Sequence, residues 1–144
     1  MRRLVLLCHV TASAGWWGAV AAFLAVAIDG TRGDTTGTCQ ALAVTGWGAI
    51  VPLAALSSLT GLIQSQGGAW GLLRHWWVVF KIVITLPCSA LLVLHLWMLD
   101  GCRAGIAAQM RFDAALALIV LMVPLALSVY KPKGVTPWAT RPQR

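Results

Sequence analysis

Charge is what this sequence has least of. Asp, Glu, Lys and Arg make up 10% of its 144 residues, and none of them is Glu. A soluble domain carries about a quarter. The polar surface is too small to cover a water-soluble globule. The apolar residues, 59% of the chain, fall in blocks rather than stripes, which is the pattern of a membrane protein. The loops between blocks are too short to bury cores of their own. A single transmembrane domain over 1–144 is therefore expected.

Further absences narrow the chemistry. No carboxylate falls inside an expected span, which removes the usual intramembrane proton relay and paired-carboxylate catalysis. There is no glycine-rich phosphate loop, no CxxC and no local Ser-His-Asp arrangement. The net charge of +7 would suit nucleic acid, but the basic residues flank apolar spans and form no cluster interleaved with aromatics. The expected partner is the lipid bilayer and not nucleic acid.

What is present is four apolar blocks, at about 4–28, 42–63, 76–99 and 114–130, the last with a possible earlier start near Ala107. Each is close to the ~20 residues that cross ~30 Å of hydrocarbon as a helix. Lipid offers backbone groups no hydrogen-bond partners, so the spans must be helical. The expected fold is all-α, a four-helix transmembrane bundle. The N-terminus imitates a signal peptide, with Arg2-Arg3, an apolar run and Ala12-Ser13-Ala14. The apolar stretch continues to Ile28, so a spanning helix is expected instead of cleavage.

Basic residues set the orientation. Arg2, Arg3, Arg74, Lys81, Lys131, Lys133, Arg141 and Arg144 fall on one side, against Arg32, Arg103 and Arg111 on the other. The first side is expected to be cytoplasmic, with both termini inside, in a bacterial inner membrane. Asp29, Asp34, Asp100 and Asp113 are all assigned to the outer side. Trp70, Trp76, Trp77 and Tyr130 suit the inner interface and Trp97 the outer one. Trp16 and Trp17 lie near mid-span and do not fit a belt.

Val51-Pro52-Leu53-Ala54-Ala55-Leu56-Ser57 resembles Val123-Pro124-Leu125-Ala126-Leu127-Ser128 with one residue deleted. This is either a remnant of helix-pair duplication or the chance recurrence of common membrane residues.

His9 is the first chemical candidate, because an ionisable residue in a membrane helix needs a reason. Ser13, Trp16 and Val20 share its face. His9 either ligates a haem iron or another metal, with Trp16 packed on the cofactor, or hydrogen-bonds a neighbouring helix. His75 opens the third span and is either a wet interfacial residue or a second metal ligand. Lys81 and Arg74 could snorkel to headgroups or pair with a haem propionate. His95 is twenty residues beyond His75, about 30 Å along one helix. The two cannot share an iron, so His95 is a separate outer metal candidate or an interfacial residue. Ser57, Ser58, Thr60 and Ser128 concentrate polarity in the inner half, as an inward pocket or as hydroxyls bonded to their own helices. Ala14, Gly18 and Ala22 form a small-residue row suited to close helix packing. Cys8 and Cys88 are expected to be apolar in role, while Cys39 and Cys102 in the outer loops are disulfide candidates.

The stretch His9-x6-Trp16-Trp17-Gly18, with Trp77-x3-Lys81, resembles four-helix bacterial membrane families. These include the copper-resistance protein D-like group and the HemJ-type protoporphyrinogen oxidases. Leu59-Thr60-Gly61-Leu62 and Trp70 to Lys81 are similar to a group of predicted integral membrane proteins of unknown function. The HemJ-type likeness implies haem b near His9 and Lys81, walled by Trp16 and Trp17. Leu94-His95 stands where that group has Tyr-His, so porphyrinogen oxidation is not implied as firmly as haem. The expected function is haem-b electron transfer or porphyrin-linked redox chemistry. The alternatives are a non-catalytic subunit or partner-binding protein, joining a homo-oligomer or membrane partner through the first helix, and a metal or small-solute permeation protein.

Overall fold

The computed structural model describes residues 2–30, 33, 35–66, 75–101, 103 and 105–130. The regular elements among them are all helical: α1 (Arg2–Asp29), α2 (Thr35–Thr45), a π turn (Gly46–Ile50), α3 (Val51–Gln66), α4 (Trp76–Met98), a 3-10 turn (Leu99–Gly101) and α5 (Ile106–Tyr130). Four helices are long and apolar enough to cross a membrane, with α2, the π turn and α3 joined as one of them.

The π turn has a local cause. Pro52 has no backbone N–H, so the ladder loses a donor one residue into α3. The N–H of Val51 reaches back to the Gly46 carbonyl, widening one turn without breaking the span. The same turn lies against α4. Gly46 is buried, and a Cβ there would collide with the Leu96 side chain, itself 1% exposed. The turn from α4 into α5 uses Gly105, whose φ of +86° suits glycine. Its carbonyl accepts from the N–H groups of Ala108 and Gln109 at 3.1 and 3.4 Å and so starts α5.

That start agrees with the earlier of the two expected for the fourth span, near Ala107, and not with 114. The helix begins at Ile106, eight residues before 114, and places Asp113 two turns inside it. The span-capable stretch runs Ile106–Leu127. Asp113 thus falls inside a helix long and apolar enough to span a membrane, where no carboxylate is expected from the sequence. The polar trio Gln109, Arg111 and Asp113 mimics a loop. Arg111 and Phe112 are exposed, whereas Ile106, Met110 and Ala114 are buried at helical spacing.

The core follows one stripe of α1, formed by Ala12, Trp16, Val20, Phe23 and Ala27. α1 packs most extensively on α3 and next on α5, while α4 leans on α5 and touches α3 lightly. α1 and α4 are thus diagonal. Large apolar side chains cover the outside, among them Leu4, Val44, Leu94 and Ile119. In lipid such a surface costs nothing, and association rests on packing and interhelical hydrogen bonds.

Burial is uneven. In the most apolar stretch of α1, 28% of residues are buried, against 6% for α4. α4 is anchored by Val78 near its start and Leu96 near its end, and no described residue between them is buried.

Candidate functional site

Two polar seams cross the apolar bundle. The first joins α1 to α3 and contains His9. Its contacts step along both helices one turn at a time. Gln64 donates to the Val5 carbonyl at 3.5 Å, His9 meets Thr60 at 3.2 Å, and Ser13 meets Ser57 at 2.7 Å. Residue numbers rise on one helix as they fall on the other, which is antiparallel register. Small residues permit the approach. A Cβ on Gly61 would stand 3.2 Å from His9 Cε1, and one on Gly15 would stand 3.4 Å from Leu53.

The seam's hydrogens can be assigned from its acceptors. The Ser13 hydroxyl donates to the His9 carbonyl at 2.7 Å, so the Ser57 hydroxyl is the donor to Ser13 Oγ. Thr60 donates to the Leu56 carbonyl at 2.6 Å, which leaves its oxygen as an acceptor towards His9. His9 Nδ1 lies 3.0 Å from the Ser57 carbonyl oxygen. A carbonyl can only accept, so Nδ1 carries the proton, with Thr60 Oγ1 as a second acceptor. In the neutral ring Nε2 then keeps its lone pair. Nε2 makes no hydrogen bond among the described residues. Lys81 of α4 stands close enough for its charge to act on the imidazole.

Trp16 follows on the same face. It is 6% exposed, and its Nε1 is buried with no hydrogen-bond partner among the described residues. Trp17 turns the other way and is 42% exposed, so it does not share a wall with Trp16. His75 is extended (φ −125°, ψ 132°) and caps α4. Its carbonyl accepts from the N–H groups of Val78 and Val79. It stands at the start of α4, which packs chiefly on α5 and only lightly on α3. Arg74 lies outside the described residues. No group of three or more His, Cys, Asp or Glu side chains that could hold a metal exists among the described residues.

The second seam joins α4 to α5. His95 Nδ1 lies 3.2 Å from Asp113 Oδ2, with both side chains 27% exposed. The distance is that of an ion pair. Alignment is not that of a hydrogen bond, and Oδ2 remains buried without a donor. His95 has a carboxylate as its neighbour, and the two belong to no group of three or more His, Cys, Asp or Glu side chains among the described residues. The pair borders a cavity of about 130 Å³ whose other lining is apolar apart from the Cys88 thiol. A start at 114 leaves Asp113 outside the fourth span and hides this site, whereas the alternative start near Ala107 includes it. The spacing Ile106, Met110, Ala114, Ala117, Leu121 was the signal that the helix starts earlier.

Cys39 is disulfide-bonded, and Cys8 and Cys88 are free. Cys102 lies outside the described residues, as do Lys131 and the chain beyond it. Gly18 in the small-residue row has open space where a Cβ would be, and Ala14 and Ala22 beside it are exposed. Among the described residues the row therefore faces outward. Compared with protein-family models, curated proteins and solved structures, the chain matches none.

Proposed function

We propose that this chain is a multi-pass protein of the bacterial inner membrane that binds haem b through His9, for electron transfer or porphyrin-linked redox chemistry. The observation that carries the reading is the state of the His9 ring. Its Nδ1–H is committed to the Ser57 carbonyl, which fixes the ring's direction and leaves the Nε2 lone pair for a metal. Ligating histidines are oriented by this kind of second hydrogen bond. Two further features fit. Trp16 offers a buried, unpartnered indole N–H on the same face, and the Lys81 charge near His9 suits an anionic propionate. The weak burial of α4 leaves a wall that can stand off α1 and α3 to admit a planar group.

The residues support one axial ligand and identify no second. When bound, haem b would supply one-electron redox chemistry. The chain's own part is to hold the His9 tautomer, exclude water with Trp16, and place a cation beside the ring. The likeness to the HemJ-type and copper-resistance protein D-like groups is proposed on the same residues, without Trp17. A visible spectrum of detergent-purified protein, expressed with haem supplied and recorded before and after dithionite, tests this. A Soret band that shifts on reduction is expected. Its absence from the wild-type protein would remove the haem reading.

The second reading, a subunit that docks a partner helix, rests on the outward row Ala14, Gly18 and Ala22. There, Gly18→Leu should dissociate a complex without blocking insertion; an unchanged particle mass would count against the row.

The proposed topology has both termini cytoplasmic, carried by the eight-to-three split of Lys and Arg. Each juxtamembrane basic residue favours the anionic inner leaflet by about 1 kcal/mol. An externally active reporter fused after Arg144 should be silent, and a strong signal would reverse the assignment.

A further inference from the structure

The cavity under α4 has three properties that together select a ligand. The first is size. At about 130 Å³ it approaches the roughly 150 Å³ of a dry apolar cavity that takes up benzene. The second is its wall. Phe23, Leu92, Met110 and Ala117 present aromatic, aliphatic and thioether surface, which suits the face and edge of an aromatic ring. The third is the single polar corner. Asp113 Oδ2 is buried and lacks a hydrogen-bond donor, although His95 lies 3.2 Å away.

The corner asks for a donor, and its chemistry restricts which. A cationic ligand would bring a second charge into an apolar site where Asp113 already has His95 beside it. A neutral hydroxyl satisfies the oxygen without adding charge. The entry route is also visible. Leu91 and Leu116 line the cavity, yet are 53% and 49% exposed on the lipid-facing surface. The cavity therefore opens between α4 and α5, beneath the stretch of α4 that buries nothing.

We infer that this cavity binds the ring of a membrane-soluble phenol or quinol, entering from the lipid between α4 and α5, with the ring hydroxyl donating to Asp113 Oδ2. His95 positions the carboxylate, and any chain on the ring lies outside between the helices. The site stands on its own geometry and does not require haem at His9.

Cys88 lines the same cavity and is free, so it reports occupancy. In Cys8→Ser protein with the Cys39 disulfide intact, Cys88 is the thiol to follow. Its modification by methyl methanethiosulfonate is timed with 4-pentylphenol or 4-pentylbenzene present. Saturating pentylphenol should slow the reaction about tenfold, and pentylbenzene, which lacks the hydroxyl, should need about tenfold higher concentration, since one charge-assisted hydrogen bond is worth that factor. Asp113→Leu, which removes the acceptor, should weaken pentylphenol to the pentylbenzene level. Ala117→Phe, which supplies a ring of the protein's own, should protect Cys88 with no ligand added. Equal protection by the two compounds in wild type would overturn the hydroxyl contact. No saturable protection by pentylphenol would overturn the site, whatever the variants do.

Discussion

The α1–α3 seam and the α4–α5 seam each hold one histidine of a span-capable helix, and they hold it in opposite ways. His9 is locked by a carbonyl that can only accept, backed by Thr60, Ser57 and Ser13 in one connected chain of hydrogen bonds. His95 sits beside a carboxylate whose near oxygen stays without a donor. The first seam is closed by small residues and antiparallel register. The second lies under a helix that buries almost nothing along its middle. A histidine whose polar neighbours are complete is set up to offer its remaining nitrogen to a metal. A histidine beside an incomplete carboxylate marks a place where a ligand can supply what is missing.

Stability measurements in detergent distinguish the two seams. The largest effect is expected away from both seams. Cys39 is disulfide-bonded near the start of α2, and Cys8 and Cys88 are free. Its partner is expected to be Cys102, and peptide mapping by mass spectrometry without reduction will identify it. Cys39→Ser should cost about 2–4 kcal/mol of stability. Recovery of Cys39 as a free thiol in the native protein would contradict this.

Gly46→Ala comes next. The added methyl meets the buried Leu96 side chain, which has little room to move, so about 1–3 kcal/mol should be lost. A neutral result would mean that the π turn and α4 are not in close contact. Within the α1–α3 seam, Ser57→Ala removes the hydroxyl that donates to Ser13 but keeps the carbonyl that holds His9. A cost of about 0.6 kcal/mol is expected for one interhelical hydrogen bond in a membrane, with His9 chemistry intact. The smallest effect belongs to the α4–α5 seam. Asp113→Leu removes a carboxylate whose buried oxygen has no donor, so stability should change by less than about 0.5 kcal/mol or rise. A loss as large as that of Gly46→Ala would show that His95 and Asp113 form a complete bond.

How much of this was legible in the sequence follows from which signals are periodic. Four spans were readable because apolar blocks of that length allow little else. The α1 face of His9, Ser13, Trp16 and Val20 was readable from helical spacing, and the structure buries Trp16 and Val20. Trp17, one residue on, turns by 100° and leaves that face. The partners of His9 were visible only as a concentration of hydroxyls, because antiparallel register between α1 and α3 cannot be read from either helix alone. Asp113 was hidden by its neighbours Gln109 and Arg111, which made two helical turns look like a loop. Pro87 inside α4 also gave no warning that this helix would be the loosest one.

In the proposed function the α1–α3 seam makes His9, and neither of the other histidines, the haem ligand. This assignment is tested most directly by haem content per protein, measured as the pyridine haemochrome, in His9→Ala, His75→Ala and His95→Ala beside wild type. Gly61→Leu belongs in the same series, since it crowds the His9 ring at Cε1 and alters no polar group. His9→Ala and Gly61→Leu should lose the haem, while His75→Ala and His95→Ala should keep it. Full haem in His9→Ala, with loss in His95→Ala, would contradict the account and move the cofactor to the other seam.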